Sequence, residues 1–439
     1  MKKNKLKELL WVIVFLVGCL FSVRAAELPQ LSKGSKDRSP GTEAVLLSGG
    51  ARGPYKIVER SDWSRYDNGR YVGHVYREVR ASILPESNRD GAGTQWYRGN
   101  FFVLEETLRD MRQSAQAVDA VIPASFGLTS RGELNIEEDR GFPSLRGFPA
   151  FPNEPVKAGV KWTAPGRRAV DPLNEGHPVV VPLTAEYEYR GVELYRDTPV
   201  HRIFAKYASR HRQPGPGFNQ VQGTHDVDIL IRVSDGIPLL MRDTLDETYT
   251  WADGSVVRFR GFTLTFGEGI VPLDRNSLAL SIGKVLKSNP PHRPDPPSRP
   301  DPVPSGGRGP NPAMDAAGID VAEVSEGLRL TLRDARFYPD SDEFLPAERP
   351  RLDLIAQALR QISDRTFLVE GHTAAVGYPA GEMELSLKRA KRMVDELVSR
   401  GIPADRFIYK GWGGTKPLGD NGNEAGRAQN RRVEITILE

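Results

Sequence analysis

The stretch from Ser288 to Pro312, SNPPHRPDPPSRPDPVPSGGRGPNP, constrains this chain more than any other. Proline at that density removes backbone donors and holds φ at about −65°, so neither helix nor sheet runs through it. A polyproline II segment with a hinge at Gly306-Gly307 is expected, and about 25 residues at about 3.1 Å each would reach about 75 Å. The rest of the 439-residue chain must fold on either side, at 35–287 and at 319–439. That agrees with the two or three cores expected for a chain of this length. The segment lacks the apolar side chains needed to offset ordering entropy, so the two halves are expected to tumble semi-independently. It reads as a spacer; a ligand for a proline-reading domain is the other reading.

The first residues read as an address. Lys2, Lys3, Lys5 and Lys7 precede a nearly all-apolar run from Leu9 to Val23, and Val23-Arg24-Ala25 offers a cleavage site. The run is shorter than the roughly 20 apolar residues that cross a bilayer. A cleaved signal peptide over residues 1–25 is expected, with a periplasmic mature chain. Leu16-Val17-Gly18-Cys19 also fits a loose lipobox, which would make Cys19 a lipidated N-terminus. Against lipidation, Leu20 and Phe21 continue the apolar run. Cys19 is the single cysteine, so an intramolecular disulfide and a Cys-based metal site are both excluded.

Between residues 35 and 287 the pattern is period two, or short apolar runs between turn signals. Tyr71–Tyr76, Trp96–Val103, Val179–Leu183, Asp226–Val233 and Val256–Leu264 read as strands. Asp67-Asn68-Gly69 and Ala252-Asp253-Gly254 read as hairpin turns. Phe148-Pro149-Ala150-Phe151-Pro152 with Pro155 suggests a division into β-rich subdomains at 35–145 and 146–287.

Signals of chemistry in this half are absent from the sequence. Thr224-His225-Asp226-Val227-Asp228 places a His beside two carboxylates, but alternation puts Asp226 and Asp228 on one strand face and His225 on the other. The group reads as a solvated strand end, and His74, His177, His201 and His211 stand alone. No His-Glu-x-x-His, Gly-x-Ser-x-Gly or phosphate-cradling loop is present. No metal, cofactor or enzymatic activity is expected. Lys plus Arg is 60 against 57 for Asp plus Glu, a net +3, without a long basic run, which argues against nucleic acid.

After the spacer, strands and helices alternate. Leu328–Leu332 alternates as a strand. Leu352, Leu354, Ile355, Ala358, Leu359 and Ile362 recur at helical spacing across Arg351–Ile362. Thr366–Val369 is a second strand, and Glu382–Ser399 a second helix with Glu382 and Glu384 at its positive end. Phe407–Tyr409 and Val433–Leu438 complete a β-α-β-α-β-β order. That is an α+β layer of helices over one sheet.

Several motifs here stand in register. They are Phe337-x-x-x-Ser341-x-x-Phe344, Val369-Glu370-Gly371-His372-Thr373 with Gly377, and Leu385-Ser386-x-x-Arg389-Ala390. Gly411-x-Gly413 with Pro417 follows, then Gly426-Arg427-x-x-Asn430-Arg431-Arg432-Val433-Glu434. Together they resemble the OmpA-like peptidoglycan-associated family, over about 319–439. The resemblance implies an exported envelope protein that holds peptidoglycan non-covalently; the β-rich half, which resembles no family, is expected to be a module tethered to it by the spacer that meets an unknown envelope protein. The resemblance places the stem-peptide site at Thr373, Ala374, Glu382, Arg389 and Arg432. In the family an Asp after the His-Thr pair and the Arg of the Arg-Ala pair clamp the zwitterionic end of diaminopimelate. Arg389 carries over, but Ala374 replaces the Asp and Glu382 stands where Asn is usual. Weakened diaminopimelate binding is therefore expected, and a protein-interaction scaffold that no longer binds peptidoglycan is the second reading.

Overall fold

The computed structural model describes residues 44–49, 53–86, 93–107, 114–212, 217–271, 273–288, 318–333 and 335–439. The expected signal peptide, Cys19 and nearly all of the Pro-rich segment expected to act as a spacer lie outside these residues.

Twelve strands before the spacer form one antiparallel sheet. They are β1 (Tyr55–Asp67), β2 (Arg70–Pro85), β3 (Thr94–Leu104), β4 (Gln116–Thr129), β5 (Leu134–Ile136), β6 (Leu145–Arg146), β7 (Lys161–Val170), β8 (Val179–Tyr195), β9 (Thr198–Arg212), β10 (Gln220–Arg232), β11 (Pro238–Thr250) and β12 (Val256–Gly269). Period-two patterning drives them: in β8, Val181, Leu183, Ala185, Tyr187 and Tyr189 are buried, while Pro182, Thr184 and Glu186 are exposed. The β1–β2 turn uses Asn68 and Gly69 at φ 48° and 82°, the left-handed pair that suits a two-residue hairpin.

Strand β1 pairs with β2 along one edge and with β12 along the other. The sheet therefore runs unbroken across residue 145, and the expected division into two β-rich subdomains gives way to one body. The prolines that suggested a boundary mark a change of chain direction; strand pairing, which is non-local, decides the domain. Phe148 and Phe151 pack against the sheet, with Phe148 5.6 Å from the Tyr187 ring and 5.7 Å from that of Tyr207.

The second sheet follows the order β13 (Ile319–Val324), β14 (Gly327–Arg333), β17 (Arg432–Leu438), β15 (Phe367–His372), β16 (Phe407–Gly411). Only the β15–β16 pair of these is parallel. Three helices accompany it: α2 (Arg349–Arg360), α3 (Pro379–Ser399) and the short α4 (Glu424–Asn430). The order is β-β-α-β-α-β-α-β, one strand and one helix more than the sequence suggests. Both additions are short, and α4 depends on a cap, the Asn423 side chain accepting from Gly426 N at 2.8 Å.

Leu352, Ile355 and Leu359 of α2 and Met393, Val394 and Leu397 of α3 pack on Val433, Ile435 and Ile437 of β17. Helix α1 (Arg275–Ser288), which precedes the spacer, adds Ile282, Val285 and Leu286 to the same core. Its Arg275 pairs with Glu439 at the C-terminus. On the other sheet face Phe102, Leu104 and Val118 cluster with Leu368, Ile408 and Leu438. Gln116 and Ala117 of β4 pair in parallel with Ile408 and Tyr409 of β16. The parts on either side of the spacer thus share cores and a strand pairing, and independent tumbling is not what this packing permits. Proline content describes the connecting segment; it is silent about surfaces elsewhere that bury one another. No helix among the described residues is long and apolar enough to cross a membrane.

Candidate functional site

A groove of about 850 Å³ opens between the loop after β14, the end of β15 and the start of α3. The loop is a closed hairpin-like turn. Phe337 and Phe344 stack at 4.2 Å between centroids, and Leu345 N donates to Arg336 O at 2.8 Å. Asp340 takes a left-handed φ of 51°, so Asp340, Ser341 and Asp342 form the tip.

Helix α3 approaches closely because Gly371 and Gly411 lack side chains. A Cβ on Gly371 would lie 2.0 Å from Ser386 O, and one on Gly411 2.6 Å from Leu387 N. That approach sets Arg389 one turn further along, buried to 8% exposure. Its guanidinium carbon lies 4.6 Å from the Phe337 centroid, and Nε donates to Ser341 O at 3.0 Å. Burial lowers its pKa from the ordinary arginine value; Asp340 and Asp342 act against that, and Arg431 with it. Among the described residues Arg389 forms no ion pair.

Thr373 and Ala374 form the groove floor at the end of β15. Thr373 N donates to Gly413 O at 3.0 Å, while its buried Oγ1 has no partner among the described residues. Ala374 offers only a methyl group. Glu382 also lines the groove, but its Oε1 accepts from the backbone N–H groups of Val376, Gly377 and Tyr378 at 2.6, 3.1 and 3.2 Å. It pins the loop that leads into α3.

Arg432 is placed elsewhere. Strand alternation turns it to the opposite sheet face, where Nε donates to Glu434 at 2.7 Å and its terminal nitrogens reach Lys416 O at 3.2 Å. Arg431 lines the groove instead, paired with Glu424 at 2.5 Å. A one-residue difference at a strand start exchanges the two faces. The sequence motif contains both arginines and cannot choose between them. Asp340, Asp342 and the ring support from Phe337 were also missed, since loop closure has no periodicity; the one available signal was the pair of acids flanking Ser341.

On that opposite face Glu370, His372 and Glu434 are buried beside Arg329, and Trp412 Nε1 donates to Glu370 at 2.6 Å. Burial opposes the Glu434 charge, yet His372 at 3.7 Å, Arg329 at 3.1 Å and the Arg432 hydrogen bond hold it down to about 2. Burial lowers the pKa of His372 itself.

The expectation for His225 is corrected by the β-rich body. Asp226 and Asp228 do point away, pairing with Lys206 and Arg202. His225, however, is not part of a solvated strand end: it is 1% exposed and stacks on Tyr207 at 4.2 Å. Its Nδ1 lies 2.9 Å from Asp243, and its Nε2 lies 3.3 Å from Glu247 and 3.2 Å from Arg168. The partners come from β11 and β7, so proximity in sequence named the wrong carboxylates. Among the described residues no group of three or more His, Cys, Asp or Glu is placed to hold a metal.

Comparison with known proteins locates the likeness at the groove. The OmpA family model matches residues 336–431. Outer membrane protein A of Bordetella avium is 39% identical over 105 residues, 24% of this chain and 54% of that protein. Peptidoglycan-binding protein ArfA of Mycobacterium bovis is 35% identical over 101 residues, 23% of this chain and 31% of that protein. The chain thus spans about half or less of these relatives. The cell wall anchor of the T6SS from Pseudomonas aeruginosa, a solved structure, is 34% identical with a TM-score of 0.26, covering 28% of this chain and 90% of that one. Residues 336–431 of this chain are a domain of the OmpA family, related to peptidoglycan-associated proteins of the cell envelope.

Proposed function

We propose that this is an exported periplasmic protein whose OmpA-family domain associates with peptidoglycan. The β-rich module is held at the wall by that domain and by the Pro-rich segment, and it meets an envelope partner. The signal peptide is removed near Ala25. No catalytic role is assigned. The observation that carries the reading is Arg389, which is fixed by Phe337 and Ser341 in a groove and is without an ion pair among the described residues. Such a guanidinium suits a carboxylate from a stem peptide, which it can meet with two parallel hydrogen bonds.

The ammonium of a diaminopimelate end finds no charge at Ala374. Glu382 lines the groove too, but its Oε1 already serves three backbone donors, which leaves only Oε2 to meet an ammonium. Asp340 and Asp342 are the acids whose fields reach Arg389, from a more exposed loop tip. Their contribution is screened by solvent, so binding is weakened relative to a groove with a buried Asp. Leaving one partner of a desolvated pair unmatched costs about 2–5 kcal/mol.

Calorimetric titration of the full mature chain with a diaminopimelate stem peptide tests this. Weak binding that strengthens in Ala374→Asp, and is lost when Arg389→Ala is added, is the expected result. Tight binding by the unmodified chain would overturn the weakening. Absence of binding in both the unmodified chain and Ala374→Asp would favour the protein-interaction scaffold.

A further inference from the structure

The β-rich body contains two adjoining cavities of about 240 and 160 Å³. Glu59, Val79, Phe142, Leu145, Met241 and Thr265 belong to the walls of both, so the two chambers adjoin across these side chains. Each is smaller than the roughly 300–1,000 Å³ typical of ligand pockets, and only together, at about 400 Å³, do they reach the low end of that range. One chamber is walled by rings, among them Phe101, Phe126 and Phe148, and is almost wholly apolar. The other has a polar end formed by Trp63, Arg168, Asp243 and Glu247.

The charges at that end are already matched. Glu247 accepts from Arg168, from Tyr249 and from the His225 ring, while Asp243 is met by His225 and by Tyr207. Two donors are left over: Trp63 Nε1 and Arg168 Nε are buried with no hydrogen-bond partner among the described residues. A buried donor without an acceptor is costly, and an acceptor brought by a ligand would relieve it. Because the local charges pair off, a further anion would be unmatched, whereas an uncharged oxygen would not. Burial also pushes the Glu59 carboxyl up, against the pull of Arg168, which keeps an ion out of the junction between the chambers.

The geometry points to a binding site for a single-chain amphipath, with its alkyl or acyl chain in the ring-walled chamber and an uncharged carbonyl head accepting from Trp63 Nε1 and Arg168 Nε. The site is independent of the groove at Arg389. It selects one chain by volume and a neutral head by charge balance.

The test uses the full mature chain and monododecanoylglycerol, titrated calorimetrically. One-to-one saturable binding is expected, with dodecanoate at least about tenfold weaker. Trp63→Phe, which removes a donor and keeps the ring, should weaken binding by about three- to tenfold. Met241→Trp should fill the junction between the chambers and abolish binding. Absence of saturable binding would overturn the proposal, as would unaltered affinity in a folded Met241→Trp. Should that variant fail to fold, a monoacylglycerol bearing a chain-terminal diazirine decides the matter in the unmodified protein. Crosslinks to peptides containing Phe101, Phe126 or Phe148 support the site, and crosslinks only elsewhere overturn it.

Discussion

Arg389 stacks on Phe337, guanidinium carbon to ring centroid 4.6 Å, and the same ring stacks on Phe344 at 4.2 Å. The arginine is held by a loop that is itself closed by aromatic contact, so the loop orders the charge before a ligand arrives. Phe337→Ala should weaken stem-peptide binding by about 0.5–2 kcal/mol in the Ala374→Asp background, measured calorimetrically. Phe337→Tyr, which keeps a ring face, should stay near the parent.

Glu382 is a loop anchor. Replacing it with Ala removes one acceptor from three backbone donors, with an expected loss of about 2 kcal/mol in chemical denaturation. Glu382→Gln keeps an acceptor and should lose less. Hydrogen exchange at Val376, Gly377 and Tyr378 should quicken in the Ala variant and change little in the Gln variant.

Stability should depend on pH through His225. Burial and Arg168 work against its protonation, yet Asp243 and Glu247 raise its pKa above the ordinary value. The folded state then binds the proton more tightly than the unfolded one. That contribution is whole below about pH 6.5 and is lost as pH rises through the raised value. The stability difference between the parent and His225→Gln should therefore shrink from about pH 6.5 upward. His372, whose pKa burial lowers, pulls the other way and disfavours the folded state as pH falls below about 6.5. The variant comparison is needed to separate the two, with denaturation midpoints across that range as the measurement.

A single cut inside residues 289–312 should not release two separate proteins. Helix α1 keeps Ile282, Val285 and Leu286 in the C-terminal core, and β4 keeps its pairing with β16. The nicked fragments should co-elute in native size-exclusion chromatography and separate only in denaturant. Separation without denaturant would contradict the shared core.

Helix α2 was legible because Leu352, Ile355 and Leu359 recur at the helical period and fix both type and face. The strands of the β-rich body were legible as segments but came out short: Tyr71–Tyr76 lies inside the 16-residue β2. Its polar outer residues alternate with buried ones too irregularly to mark the ends. The groove was legible where a motif names one residue, as with Arg389, and failed where two like residues adjoin, as with Arg431 and Arg432. The His225 cluster was hidden for another reason. Asp243, Glu247 and Arg168 reach it by strand pairing and packing across the sheet, and neither leaves a trace in local spacing.

The double pairing of β1 bears on how the chain is made. Its partner β2 follows after a two-residue turn, but β12 is synthesised roughly two hundred residues later. Until then one edge of β1 offers unpaired backbone groups, an invitation to foreign strands. The strand also buries Ser61, whose hydroxyl meets Thr263 of β12 at 3.0 Å, a contact that exists only after closure. Folding of this body is thus tied to completion of its last strand, and a chain stalled before Val256 would carry an open β1 edge and leave β1–β5 unjoined from β7–β11.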